Sequence, residues 1–184
     1  CSYCGAWNSI VEHKVKPVQD NDARRRTTDK AAPSKLINVG TGSYTRITSG
    51  IAELDRVLGG GIVLGSMILI SGEPGIGKST LIIQSANSIA VNNGTVLYVS
   101  GEESEKQVKL RADRVCDNLS GDLLIFSETN LESVLMACEQ VKPKFLVIDS
   151  IQTMYSDELD NTAGSITQIR ACSNLLMKYA KSNN

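Results

Sequence analysis

Aromatic side chains are scarce in this chain of 184 residues: one Trp, two Phe and five Tyr, 4% in all. Charge of one sign is missing as well, with 19 basic against 20 acidic residues. Such a balance lacks the electrostatic footprint of a domain that binds phosphate backbones by charge alone. A nucleic acid partner must then be met by local loops or by the summed surface of an oligomer. Long apolar runs are absent: none approaches the roughly 20 residues of a membrane span, and the start has no secretory core. These absences point to a soluble, cytoplasmic protein with no membrane partner. What apolar sequence there is comes in short β-branched runs, which fit an α/β protein with a parallel sheet.

The length suits one core domain with a small appendage. Both ends read as cut, because the chain opens on Cys1 inside a motif and closes within the helical pattern Ile166–Lys181. Residues 1–15 form a small Cys/aromatic piece. Residues 16–35 carry Pro17, Asp20, Arg24, Arg25, Arg26 and Pro33 with few apolar side chains. That composition reads as a mobile linker. From residue 36 to 184 the pattern is regular. Leu36–Val39 reads as a short strand, and Ala52–Leu58 as a helix with Leu54, Val57 and Leu58 on one face, stopped by Gly59-Gly60-Gly61. Strands are expected at Met67–Ile70, Thr95–Val99, Leu123–Phe126 and Phe145–Ile148. Helices are expected at Leu81–Val91, at Glu105–Val115 behind Ser104 and at Leu131–Val141 behind Asn130. Alternation of this kind means βαβ units with right-handed crossovers.

The run Gly72-Glu73-Pro74-Gly75-Ile76-Gly77-Lys78-Ser79-Thr80 meets the pattern G-x-x-x-x-G-K-[ST]. It stands between an apolar run and a helical pattern, where backbone N–H groups and the positive helix end form an anion nest. Glycines let the chain approach phosphates closely. Lys78 is placed to neutralise the β/γ-phosphates, and the Ser79 hydroxyl to ligate Mg²⁺. The bland alternative is a glycine-rich turn capping a helix. Phe145–Ile148 ends in Asp149, a carboxylate at the C-terminal sheet edge where α/β ligands bind. That position suits a Mg²⁺ ligand, or else a polar residue that merely ends a strand. Glu102, after the strand at Thr95–Val99, is placed to orient or deprotonate an attacking water. Glu103 reads as a helix-start acid or a substrate contact.

Cys1-x-x-Cys4-Gly5 resembles one knuckle of a zinc ribbon, and a tetrahedral zinc site needs four ligands. The matching pair would precede residue 1. A redox dithiol or two spare cysteines are the alternatives. His13 reads as a solvated linker residue. Cys116, Cys138 and Cys172 sit on apolar positions and read as buried small hydrophobes in a reducing compartment. The segment from Ile151 to Ser165 reads either as a DNA-facing loop or as an ordinary surface loop. Arg24–Arg26 reads either as a nucleic-acid contact or as a solvated run in the linker.

Cys1–Trp7, Thr48–Gly61, Gly72–Thr80, Val99–Ser104, Leu146–Thr153 and Gly164–Arg170 occur in one order over nearly the whole chain. In that order they resemble the RadA (Sms) family of bacterial DNA repair proteins. The zinc-ribbon start separates that family from other RecA-like ATPases, including the circadian-clock KaiC type. The resemblance implies a RecA-type P-loop core at 36–184, preceded by a partial zinc ribbon, and homohexameric rings. It further implies DNA-dependent ATP hydrolysis that drives branch migration on single-stranded or branched DNA beside the RecA recombinase. The cofactors implied are ATP, Mg²⁺ and Zn²⁺. In those terms Lys78 and Ser79 bind ATP and Mg²⁺, Asp149 is the strand-end acid and Glu102 the base. Two other classes stay open: a KaiC-like signalling ATPase, and a scaffold in which nucleotide only drives assembly. The chain departs from the family in lacking the first C-x-x-C, the later core strands, the Lys-Asn-Arg-Phe-Gly segment and the Lon-like domain. Competence of this chain alone and function of the full protein are therefore separate expectations.

Overall fold

A computed structural model describes residues 33, 35–38 and 45–183. The half zinc knuckle at Cys1 and Cys4, His13, Arg24–Arg26 and most of the linker lie outside the described residues. The chain divides into two units, Cys1–Thr41 and Gly42–Asn184. In the first, Leu36–Asn38 is a 3-10 turn, closed by Asn38 N–H donating to the Lys35 carbonyl at 2.9 Å. Over the described residues Leu36–Asn38 a local turn thus stands where a strand was expected.

The second unit opens with a small antiparallel ribbon of β1 (Arg46–Ile47) and β2 (Ile62–Val63). Between them lies α1 (Ala52–Val57). Asp55 anchors the approach to this helix, accepting from Thr48 Oγ1 at 2.5 Å and from Ser49 N–H at 2.8 Å. The Thr48 bond leads in holding the Asp55 carboxyl below its usual range. Gly59, Gly60 and Gly61 all take positive φ, and Arg46 donates to the carbonyls of Leu58 and Gly61 at 3.0 Å each. The expected apolar face of α1 is incomplete, because Val57 is 73% exposed while Leu58 packs on the core.

The main sheet holds β3 (Val96–Ser100), β4 (Leu123–Ser127) and β5 (Phe145–Asp149), all parallel, in the order β4-β3-β5. Every residue of β3 is buried, as its central place demands. Side chains alternate across the pleat. Val96, Tyr98 and Val147 meet α2 (Lys78–Asn93) and α3 (Glu105–Val115) through Ile83, Ala86, Ile89, Val108 and Ala112. Leu97 and Val99 face the other way. They meet α4 (Leu131–Val141) and α5 (Ile166–Ser182) through Val134, Cys138, Cys172 and Leu176. The result is a three-layer α/β/α core. From β3 the chain crosses to one side to form β4, then back past β3 to form β5. Right-handed crossovers in opposite directions put α3 and α4 on opposite faces.

Capping chemistry places the helix starts where they were expected. Ser104 and Gln107 form a capping box, while Asn130 and Ser165 accept from Ser133 and Gln168 N–H. The run Met67–Ile70 is the exception among the expected strands. It forms no sheet pairing, and Leu69 is 75% exposed. Among the described residues its N–H and C=O groups join no ladder, and an apolar run without such partners is not a strand. No helix among the described residues is long and apolar enough to cross a membrane.

Candidate functional site

The sheet register brings Ser100, Ser127 and Asp149 to one edge, the C-terminal ends of the three strands. β3 and β5 are neighbours whose following helices, α3 and α5, lie on opposite faces. That is the topological switch point where open α/β sheets hold ligands. Glu102 and Asp149 flank it. Gly101 N–H donates to the Asp149 carbonyl at 3.0 Å, and Ser150 Oγ donates to Glu102 Oε1 at 2.8 Å. The Asp149–Ser150 peptide is cis. A cleft of about 290 Å³ opens between the turns Ser100–Ser104 and Ser127–Thr129, with Glu102, Glu103 and Glu128 in its wall.

The glycine-rich loop reaches the same edge. α2 ends at Asn93 and β3 begins at Val96, so the helix runs back along the sheet it covers. With 16 residues it extends about 24 Å, whereas the five residues of β3 extend only about 16 Å. The start of α2 therefore overhangs the C-terminal edge. Gly77 is its N-cap at φ +100°, Gly75 lies at φ +80°, and both conformations favour glycine. A Cβ added at either position would meet nothing within 4 Å. No side chain caps the helix and its first turn holds no acid. Lys78 Nζ donates to the carbonyls of Gly72 and Glu73 at 2.8 and 2.9 Å, drawing the ammonium across its own loop. Glu73, Pro74 and Ile76 are exposed on the loop, while Ser79 and Thr80 are half-buried in the first turn of α2.

Asp149 shares strand parity with Val147 and so faces the α2/α3 side. Its Oδ2 accepts from the Tyr98 hydroxyl at 2.5 Å. Arg111 Nη2 stands 3.7 Å from the same oxygen, 2.7 Å from Glu103 Oε2 and 3.4 Å from the Tyr98 hydroxyl, to which it donates. Burial first, then the hydrogen bond to Asp149, pushes the Tyr98 ionisation well above the usual phenol range, so Tyr98 remains a donor. Glu103 precedes the N-cap of α3, and the acid in that helix's first turn is Glu105. Glu103 is an ion-pair partner of Arg111 instead.

Neither Tyr98 nor Arg111 was singled out from the sequence, although each left a signal. A tyrosine inside a buried strand needs a partner for its hydroxyl. Arg111 lies on the stripe of Val108, Ala112 and Val115, where a lone cation requires a carboxylate. Among the described residues no cluster of three or more His, Cys, Asp or Glu side chains is arranged to hold a metal.

The segment after Asp149 is packed rather than loose. Met154 and Ser156 are buried, and Ser156 Oγ donates to Glu132 Oε1 at 2.5 Å. Gln168, fully buried on α5, accepts from Ser156 N–H at 3.0 Å. Its amide donates to the carbonyls of Ser156, Leu159 and Asn161 at 3.2, 3.2 and 2.9 Å. The exposed tip carries Asp157, Glu158 and Asp160, and no Lys or Arg occurs from 151 to 165.

A parallel sheet with helices on both faces and a glycine-rich loop opening α2 at the switch-point edge defines a core of the RecA P-loop type. Residues 32–176 match the family described as AAA domain, and the chain belongs to that family. It is similar to the DNA repair protein RadA of Streptococcus pyogenes serotype M6, with 46% identity over 185 aligned positions covering 100% of this chain and 40% of the relative. RadA of Listeria monocytogenes is 44% identical over the same shares. RadA of Bacillus subtilis is 43% identical, covering 98% of this chain and 40% of the relative. The chain thus spans about 40% of the length of the curated relatives it matches.

Proposed function

We propose that this chain carries the nucleotide-binding and hydrolytic core of an ATPase acting in DNA repair. The observation that supports this reading is an uncapped start of α2 on the side of the sheet's C-terminal edge, the edge that carries Glu102 and Asp149. The loop Gly72–Thr80 suits the phosphates of ATP, with open space at Gly75 and Gly77 and a first turn of α2 free of acids. Lys78, now held by two loop carbonyls, exchanges them for phosphate oxygens. Ser79 and Asp149 are the residues that would hold Mg²⁺, and the donor set of hydroxyl and carboxylate fits that ion. Bound there, magnesium supplies charge neutralisation at the β- and γ-phosphates. Glu102 accepts the proton of the attacking water, and Ser150 keeps its carboxylate turned toward the crevice. Lys78, Glu102 and Asp149 are thus the catalytic residues of this reading.

The relatives carry the name DNA repair protein, which supports DNA as the partner of the full protein. By the same resemblance the full protein assembles as a homohexamer, acts on single-stranded or branched DNA and promotes branch migration beside RecA. Zinc is assigned to Cys1 and Cys4 with two further ligands. Contact with DNA through Ile151–Ser165 relies on hydroxyls and backbone amides, since the segment offers carboxylates and no cation. Several subunits must then add weak contacts, which makes binding cooperative.

ATP turnover of the full-length protein with and without single-stranded DNA tests the reading. Stimulation by DNA, with photocrosslinks from bromouridine-substituted strands mapping to 151–165, is the expected result. Turnover indifferent to DNA would move the reading to a KaiC-like signalling ATPase.

A further inference from the structure

We propose that Tyr98 and Arg111 are positioning residues for Asp149: together they hold its carboxylate by Oδ2, so that Oδ1 alone is offered to the nucleotide's metal. The inference rests on Asp149 being the magnesium-side carboxylate, as above.

Tyr98 and Asp149 sit on neighbouring strands, on the same face of the sheet and two residues apart in register, since Tyr98 pairs with Val147 and Ser100 with Asp149. Only a side chain as long as tyrosine reaches from that position to the end of β5. Its hydroxyl donates to Oδ2 at 2.5 Å, and among the described residues no hydrogen bond engages Oδ1. A carboxylate rotates readily when nothing grips it, and a metal then has to order it on arrival. A donor on one oxygen removes that freedom beforehand.

Arg111 completes the grip. A guanidinium intended only to pair with Glu103 would present two parallel N–H groups. Here a single nitrogen, Nη2, reaches Glu103 at 2.7 Å, the Tyr98 hydroxyl at 3.4 Å and Asp149 at 3.7 Å. Its Nε is buried with no partner among the described residues, and the Glu103 contact is ionic rather than a directed hydrogen bond. The side chain gives up a second bond to Glu103 in order to stand over the Tyr98–Asp149 pair. Donation from Arg111 to the phenol oxygen orients the phenol hydrogen toward Oδ2. Glu103 in turn balances the charge of Arg111, leaving less of it to oppose a cation at Asp149.

The test uses full-length protein and binding rather than turnover. Affinity for a fluorescent ATP analogue is measured across a magnesium titration and again in EDTA. The proteins compared are wild type, Tyr98→Phe, Arg111→Met combined with Glu103→Gln, and Lys78→Ala. Tyr98→Phe keeps the ring in the core and removes only the donor. Its half-saturating magnesium concentration should rise about tenfold, the scale of one hydrogen bond to a charged group, while affinity in EDTA stays at the wild-type value. Arg111→Met, made together with Glu103→Gln so that no unbalanced carboxylate is left beside the metal, should shift the same quantity in the same direction. An unchanged or lowered magnesium requirement in Tyr98→Phe would overturn the positioning role. If Lys78→Ala also binds the analogue like wild type, the nucleotide site itself is misassigned. If Lys78→Ala loses affinity while Tyr98→Phe responds normally to magnesium, only the positioning role fails.

Discussion

Ser150 donates its hydroxyl hydrogen to Oε1 of Glu102 at 2.8 Å, joining the residue after β5 to the turn after β3. The bond spans the switch point between the two strands and leaves Oε2 of Glu102 without a hydrogen bond from any described residue. A carboxylate held by one oxygen and open at the other is arranged to take a proton.

Glu102→Gln keeps the shape and the bond from Ser150 while removing the base. In the full-length protein it should bind ATP as wild type does and lose turnover by about 10²–10⁴-fold. Glu103→Gln should retain much more of the rate, because Glu103 acts on Arg111 and not on water. Single-turnover hydrolysis beside a nucleotide-binding titration checks both. A large rate loss confined to Glu103→Gln would exchange the two roles.

Gln168→Leu should destabilise the segment from Ser156 to Asn161. The substitution leaves Ser156 N–H and the carbonyls of Ser156, Leu159 and Asn161 without their shared partner. An unsatisfied buried group costs about 1–3 kcal/mol, so the loss should be at least of that order. Urea unfolding gives the total, and hydrogen exchange should show faster amide exchange at Ser156 than in β3.

Much of this architecture was legible in the sequence because local chemistry announces it. Ser104, Asn130 and Ser165 cap their helices, and Gly94 and Pro143 mark the approaches to β3 and β5. Two-residue strands such as Arg46–Ile47 carry no periodicity, so the β1–β2 ribbon went unseen. Met67–Ile70 has the composition of a strand, yet pairing requires a neighbour that composition cannot supply. Gly72–Thr80, Glu102 and Asp149 stood out through motif and strand-end position. The Tyr98–Asp149 bond spans 51 residues, and only the β3–β5 register reveals it.

Alkaline pH should weaken the fold through Cys138. Burial chiefly pushes its thiol up to about 11. In the unfolded chain the thiol ionises near its ordinary value, so between that pH and about 11 unfolding releases a proton. A raised value of this sense leaves stability intact below the unfolded pKa and removes it as pH climbs through the window. The fall in unfolding midpoint over that range should be shallower in Cys138→Ala than in wild type. In the folded protein at neutral pH, Cys138 should resist iodoacetamide until denaturant is added.

The most direct measurement is the ATP turnover and ATP affinity of Lys78→Ala in the full-length protein. Lys78 Nζ is the cation of the loop, tied to the carbonyls of Gly72 and Glu73 at 2.8 and 2.9 Å. Loss of turnover together with weakened ATP binding is the predicted result. Wild-type turnover in that variant would contradict the assignment of Gly72–Thr80 as the phosphate-binding loop.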